Sequence, residues 1–224
     1  MRSSFTYTLC ASLIGAFFMS SPIAASNAQA QPQAIEPSNS TWQMPADVIA
    51  LNQTGRIQTN APKNSVEVVE FFSYTCPHCA SFAPKLKAWQ AKQPSSVRLI
   101  YLPISWRADM VAPQRLFFTL QRLNRLDLHE QVFTDWANDS ERLANDAAVL
   151  NWALRNGFDK KTWLSNYHSA AVTQNMRMAQ QAFRRFELNG VPALVINGRY
   201  SLIPSHQMLD TLENVVTHER ALTQ

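Results

Sequence analysis

The stretch from Val66 to Pro84 constrains this chain more than any other. Seven residues, Val66 to Phe72, are apolar, β-branched or aromatic apart from Glu67 and Glu70. That composition and length suit a strand covered on both faces. Ser73, Tyr74 and Thr75 break the run, and Cys76-Pro77-His78-Cys79 follows. Beyond it Cys79, Phe82, Leu86 and Trp89 recur at intervals of three, four and three, which is helical spacing. A CxxC pair therefore stands where a strand turns into a helix. Cys76 lies just ahead of the first turn, and Pro77 occupies an early position where its missing N–H does no harm. The rest of the chain reads as scaffold, cover and address label for this dithiol.

With 224 residues, 46% of them hydrophobic and 16% charged, the chain can bury a substantial core. Its formal charge is +4, but the basic residues are scattered, and pairs such as Lys160-Lys161 and Arg184-Arg185 stand alone. This is the pattern of a solvated surface, and no nucleic-acid partner is expected. Residues 1–30 differ in kind. Arg2 is their one charged residue, Leu9 to Met19 is mostly apolar, and Ala28-Gln29-Ala30 resembles a signal-peptidase site. Met1–Ala30 is therefore expected to be a cleaved secretory signal. Ser12, Gly15 and Pro22 interrupt the apolar run, which falls short of the ~20 residues a spanning helix needs. Of three cysteines, Cys10 leaves with the signal, so the CxxC holds the only two of the mature chain. A loop closed by two intervening residues constrains little of the chain, so the pair is present for its chemistry.

Residues 31–47, rich in Pro, Ser, Gln and Asn, read as a flexible N-terminal tail. Val48 to Leu51 is expected as a short edge strand, and Thr59 to Asn64 as a turn-rich connection. The helix after Cys79 contains Pro84, where a kink is expected, and ends around Lys92 to Ser96. Val97, Leu99 and Tyr101 alternate as a second strand closed by Pro103. From Met110 to Tyr167 the pattern is helical, with segments at Pro113–Leu123 and Leu128–Ala137. A further one is capped by Asp146 and ended by Asn156-Gly157, and another is capped by Asp159. Ser169 to Leu188 forms a longer helix. Val191 to Ile196 is a strand leading through Asn197-Gly198, a strong hairpin signal, to Tyr200–Ile203. Ser205 is expected to cap a last helix. The order implies an α/β chain: a small mixed sheet with helices packed on it and a helical insertion between its halves.

The start of a helix makes the two cysteines unequal. Cys76 faces free backbone N–H groups and the positive end of the helix dipole, which favour thiolate over thiol. Cys79, one turn in, is more buried. Cys76 is thus expected to carry the mixed disulfide and Cys79 to resolve it. His78 can donate to, or as a cation attract, the Cys76 thiolate. Thiolate stabilisation favours the reduced protein, so the disulfide becomes a stronger oxidant. Glu70, six residues before Cys76, can lie beneath the dithiol and relay a proton to or from Cys79 if it is buried. CxxC is also half of a zinc site, with His78 as a possible third ligand. His129, His168, His206 and His218 are dispersed, however, and supply no second ligand pair. Neither a metal nor another cofactor is expected.

Glu70-Phe71-Phe72-Ser73-Tyr74-Thr75-Cys76-Pro77-His78-Cys79, the helical insertion, and Gly190-Val191-Pro192-Ala193 before a strand and an Asn-Gly hairpin closely resemble the DsbA family of periplasmic thiol:disulfide interchange proteins. The resemblance runs from about Val48 to the final helix. It implies a thioredoxin-like fold with an inserted helical domain: residues 48–107 and 168–224 as the discontinuous thioredoxin-like part, 108–167 as the insertion. It also implies a cis peptide before Pro192, packed on the dithiol, with Val191 offering backbone groups to an extended substrate chain. An apolar groove nearby would accept unfolded chains with little sequence preference. The family's activity would be donation of the Cys76–Cys79 disulfide to reduced secreted proteins in the periplasm, by a monomer reoxidised by a membrane partner of the DsbB type. A reductase or isomerase kept reduced is one alternative, and a periplasmic metal- or peptide-binding protein is another. One departure stands out. The best-known members pair the buried glutamate with a lysine on the adjacent strand, where this chain has Tyr101.

Overall fold

The computed structural model describes residues 42–57, 62 and 64–223. The expected signal Met1–Ala30, the tail up to Thr41 and most of the Thr59–Asn64 connection lie outside the described residues. In chain order the elements are β1 (Val48–Ala50), β2 (Val66–Phe72), α1 (Pro77–Gln90) and β3 (Val97–Pro103). Then come α2 (Val111–Arg122), α3 (His129–Asn138), α4 (Asp146–Arg155), α5 (Lys160–Tyr167) and α6 (Ala170–Arg185). The chain closes with β4 (Ala193–Ile196), β5 (Tyr200–Leu202) and α7 (Met208–Ala221).

The five strands form one mixed sheet in the order β1-β5-β4-β2-β3. β2 pairs in parallel with β3 and antiparallel with β4, so it has a neighbour on each side. All seven of its residues are buried, as an almost uninterrupted apolar run requires. Val66 and Val68 pack with Leu194 and Ile196, with Leu86 and Trp89 of α1, and with Leu212, Val215 and Val216 of α7. The opposite parity, Val69, Phe71, Ala193 and Val195, belongs to a larger cluster with Val172, Met176 and Ala179 of α6 and the buried faces of α2 to α5. The sheet thus lies between two helical layers, and α2 to α5 sit between β3 and β4 in the chain. Among the described residues, no helix is long and apolar enough to cross a membrane.

Several local expectations are corrected. α4 is capped by Asn145, whose Oδ1 accepts from the Ala148 N–H at 3.0 Å; Asp146 is its first residue and accepts from the Tyr167 hydroxyl at 2.7 Å. Either side chain could cap, but only one backbone is extended there. α7 starts after Gln207 without a side-chain cap, and the Ser205 hydroxyl instead turns to Asp47. α2 starts two residues ahead of Pro113, because a proline in the first turn forfeits no intrahelical bond. α1 continues unbroken through Pro84 and ends at Gln90, before the expected Lys92. The end of the expected tail is fastened: Trp42 stacks on His218 at 3.9 Å and donates to Asn214 Oδ1 at 2.8 Å.

The β4–β5 turn carries positive φ at Asn197 (49°) and Gly198 (61°). Glycine is needed at the second position. A Cβ there would stand 2.0 Å from the Gly55 carbonyl oxygen, and the Gly55 N–H bonds back to the Gly198 carbonyl at 3.0 Å.

Candidate active site

β2 ends at Phe72, the chain turns through Ser73–Thr75, and α1 begins at Pro77, which puts the dithiol at the C-terminal edge of the central strand. Cys76 is the N-cap of α1, with extended backbone (φ −98°, ψ 115°), and its Sγ accepts the Cys79 N–H at 3.4 Å. This is the role an Asp or Ser oxygen usually fills, here taken by sulfur. On its other side the Cys76 thiol reaches the Val191 carbonyl at 3.5 Å. The Val191–Pro192 bond is cis. Two segments more than a hundred residues apart therefore meet at one sulfur atom.

The two thiols differ as their positions demand. Cys76 is partly exposed and Cys79 is fully buried. Cys76 is held down from 9.0 to about 6. The largest cause is the hydrogen bond from the Cys79 thiol; partial burial works against it, and the Cys79 and His78 backbone N–H groups then add to it. The His78 charge contributes least. The start of the helix therefore stabilises the thiolate more than the imidazole does. Burial, and then the hydrogen bond to Cys76, push Cys79 far above the ordinary thiol range.

Glu70 is buried at 1% exposure, and neither carboxylate oxygen has a hydrogen-bond partner. Burial, and secondarily the Cys76 charge, raise it from 4.5 to about 8. Its register partner on β3 is Tyr101, the position where the family resemblance leads one to look for a lysine. A lysine there would keep the glutamate ionised; a phenol brings no positive charge. Glu70 is thus a neutral carboxylic acid at neutral pH, and it is electrostatically coupled to both thiols.

One pair of residues beside the site carries no sequence signal. The Tyr74 hydroxyl lies 2.7 Å from His129 Nδ1, joining the loop before the dithiol to the first residue of α3. Phe72, Phe117 and Phe133 enclose the pair, and burial lowers His129 to about 4, so its ring is neutral. The two residues are 55 apart in the chain, and nothing in the sequence pairs them. Among the described residues, no group of three or more His, Cys, Asp or Glu is placed to hold a metal.

Residues 67–217 match the DSBA-like thioredoxin domain family. The chain belongs to this family. Its members are thiol:disulfide oxidoreductases, and the fold is thioredoxin-like. The thiol:disulfide interchange protein DsbA of Bordetella pertussis (strain Tohama I) is 34% identical over 202 residues, covering 90% of this chain and 88% of that protein. The protein of the same name from Pseudomonas aeruginosa (strain PAO1) is 32% identical over 136 residues, covering 60% of this chain and 64% of that protein. The crystal structure of Pseudomonas aeruginosa DsbA superposes with a TM-score of 0.71 at 27% identity, covering 79% of this chain and 93% of that one. DsbA from Xylella fastidiosa gives a TM-score of 0.73 over 80% of this chain and all of its own; at 24% identity it bears on the fold alone.

Proposed function

We propose that this thiol:disulfide oxidoreductase works as an oxidase, donating the Cys76–Cys79 disulfide to reduced proteins. The observation that carries this reading is the inequality of the two sulfurs: a half-exposed thiolate at the helix start, and a buried thiol behind it. A substrate thiolate attacks Cys76 Sγ, the Cys76–Cys79 bond breaks, and the electron pair leaves on Cys79. That sulfur is buried and cannot remain charged, so it takes a proton, and neutral Glu70 is the donor beside it. A second substrate thiolate then attacks the substrate sulfur of the mixed disulfide, and Cys76 leaves as a thiolate. Two electrons have moved from the substrate dithiol to the enzyme; the two substrate thiols have released their protons to solvent, and Glu70 regains from solvent the proton it gave to Cys79. The exposed Cys76 recovers its proton from solvent when it needs one.

The direction follows from the same inequality. Every pKa unit by which the fold depresses the Cys76 thiol favours the reduced form by at most about 1.4 kcal/mol, or about 30 mV in this two-electron couple. His78 acts through the helix start, its backbone N–H and that of Cys79 facing the thiolate, while Pro77, which has no N–H, fixes the first turn of that helix. Val191 offers its carbonyl next to Cys76, where an extended substrate chain can pair with it, and Pro192 keeps that segment against the sulfur. In this reading residues 48–107 and 168–224 form the redox domain and 108–167 its helical cover.

The family acts on substrate proteins and is reoxidised by DsbB-type proteins, and a membrane reoxidase of that type fits this chain. Residues 1–30, with their single charge and apolar run, support export to the periplasm, where such substrates emerge reduced.

Equilibration of the Cys76/Cys79 couple with glutathione tests the proposal. An oxidase gives a couple more oxidising than the glutathione pool, and its oxidised form melts below its reduced form. A reducing couple, with the oxidised form the more stable, would assign the protein to the reductases or isomerases.

A further inference from the structure

Next to the dithiol lies an open groove of about 530 Å³ whose floor is formed by Val191 and Pro192. One side is lined by α1, where the exposed His78, Ser81 and Lys85 and the half-buried Phe82 follow at helical spacing. The other is the turn before α7, Pro204 to His206, continued by Met208 and Leu209. Phe82, Pro204, Met208 and Leu209 make the groove apolar, as a site for unfolded chains should be. Its charge is not neutral, however. Lys85 lines it, with His78 and His206 beside it, and among the described residues no carboxylate does. Among the described residues, Lys85 takes part in no ion pair. Asp47 reaches the same turn, but its Oδ2 is engaged by the Thr211 hydroxyl at 2.7 Å and the Ser205 hydroxyl at 3.4 Å.

We infer that this groove selects substrate segments carrying an acidic side chain near the reacting cysteine. The inference rests on the oxidase reading and adds a substrate preference to it, replacing the expectation of little sequence preference. A substrate sulfur on Cys76 anchors one point of the bound chain. Lys85 lies about nine residues further along α1, hence about 13 Å away at about 1.5 Å per residue. An extended chain advances about 3.3 Å per residue, so its carboxylate meets Lys85 when it stands roughly four residues from the cysteine. A carboxylate nearer the cysteine meets the His78 ring instead. Across the groove His206 faces the same stretch of substrate.

The test uses the full mature protein and three dithiol peptides, identical except for Glu, Gln or Lys four residues from the first cysteine, on either flank. Their oxidation is followed by stopped flow at pH 6.5, at 20 mM and 500 mM salt. At low salt the Glu peptide should react roughly three- to tenfold faster than the Lys peptide, with Gln between, and the ratio should fall below about twofold at high salt. Lys85→Glu combined with His206→Glu, both on exposed positions, should invert the order. Equal rates for the three peptides, or a faster Lys peptide, would overturn the inference and leave the oxidase reading standing. So would a Glu preference that survives the double substitution unchanged, since it would then reflect net charge and not the groove. Failure to oxidise any of the three peptides would instead overturn the oxidase reading itself.

Discussion

Glu67 and Glu70 sit three residues apart on the central strand, both buried, at 0% and 1% exposure. At Glu67 the carboxylate accepts the Ile57 N–H at 3.0 Å, and the residue's own N–H donates to Asn197 Oδ1 at 2.9 Å. Asn197 in turn donates to Glu219, which pairs with Arg199. At Glu70 neither oxygen has a partner, and the residue across the strand is a phenol. A buried carboxylate without partners costs several kcal/mol if it stays charged, so it takes up a proton. The strand thus uses one glutamate as a structural acceptor at the end away from the cysteines and the other as a neutral acid beside them. Burial alone does not separate a structural carboxylate from a reactive one; its partners do.

The largest effect expected at the Glu70 end is total. Cys76→Ser should abolish dithiol oxidation, while Cys79→Ser, which can no longer form the enzyme disulfide, should accumulate a mixed disulfide at Cys76 when supplied with an oxidised substrate disulfide, visible as a covalent adduct by mass spectrometry. Measurable turnover by Cys76→Ser would remove the chemical half of the comparison.

Stability should separate the two glutamates by sign. Glu67→Ala orphans a buried N–H and should cost about 1–3 kcal/mol, whereas Glu70→Leu removes an unpartnered polar group and should stabilise the reduced protein at pH 8 by about 1–3 kcal/mol. Urea denaturation measures both, and shifts of the same sign would break the contrast.

Titration sharpens it. Glu70 stands near 8 in the folded chain and 4.5 in the unfolded one, so between these values only the folded chain keeps the proton. Its contribution is fully present below the lower value and is lost as pH rises, at up to about 1.4 kcal/mol per pH unit. Cys76, near 6 folded and 9.0 unfolded, acts in the opposite sense, and its contribution is lost as pH falls through 6. Buried His129, near 4 folded and 6.5 unfolded, also gains stability as pH rises between those values, so for the reduced protein the three groups together should leave stability nearly level from pH 4.5 to about 8 and let it rise towards 9. Glu70→Gln should turn the level stretch into a rise that begins near pH 4.5 and runs to 9. A profile unchanged by that substitution would show that Glu70 keeps its ordinary pKa.

The smallest effect belongs to a carboxylate at the surface. Glu130 pairs with Lys87 at 2.5 Å, but both side chains are largely in water. Lys87→Ala should change stability by less than about 0.5 kcal/mol in the same denaturation assay.

Features set by near neighbours were legible before any coordinates. The central strand, the helix that starts at the dithiol and the Asn-Gly hairpin follow from periodicity and turn chemistry acting over a few residues. The inequality of Cys76 and Cys79 was legible for the same reason, since helix N-terminal groups lie within one turn. Competition between adjacent candidates was not. Asn145 and Asp146 can both cap; the extended backbone stands at Asn145, while Asp146, inside the helix, accepts from the Tyr167 hydroxyl of another helix. Ser205 lost its capping role to Asp47, which lies more than a hundred residues earlier. The Tyr74–His129 pair and the cationic groove had no signature, because each joins residues whose separation in sequence carries no periodic relation.

The sequence by itself determined that a CxxC would open a helix behind a doubly covered strand, because local sterics, hydrogen bonding and hydrophobic periodicity decide those matters. It could place Glu70 in that strand but could not say whether the carboxylate would be charged. Only the tertiary structure decided that, by putting Tyr101 across from it and leaving both oxygens without donors. Ionisation of a buried group depends on everything within a few ångströms, and most of that surrounding comes from distant parts of the chain.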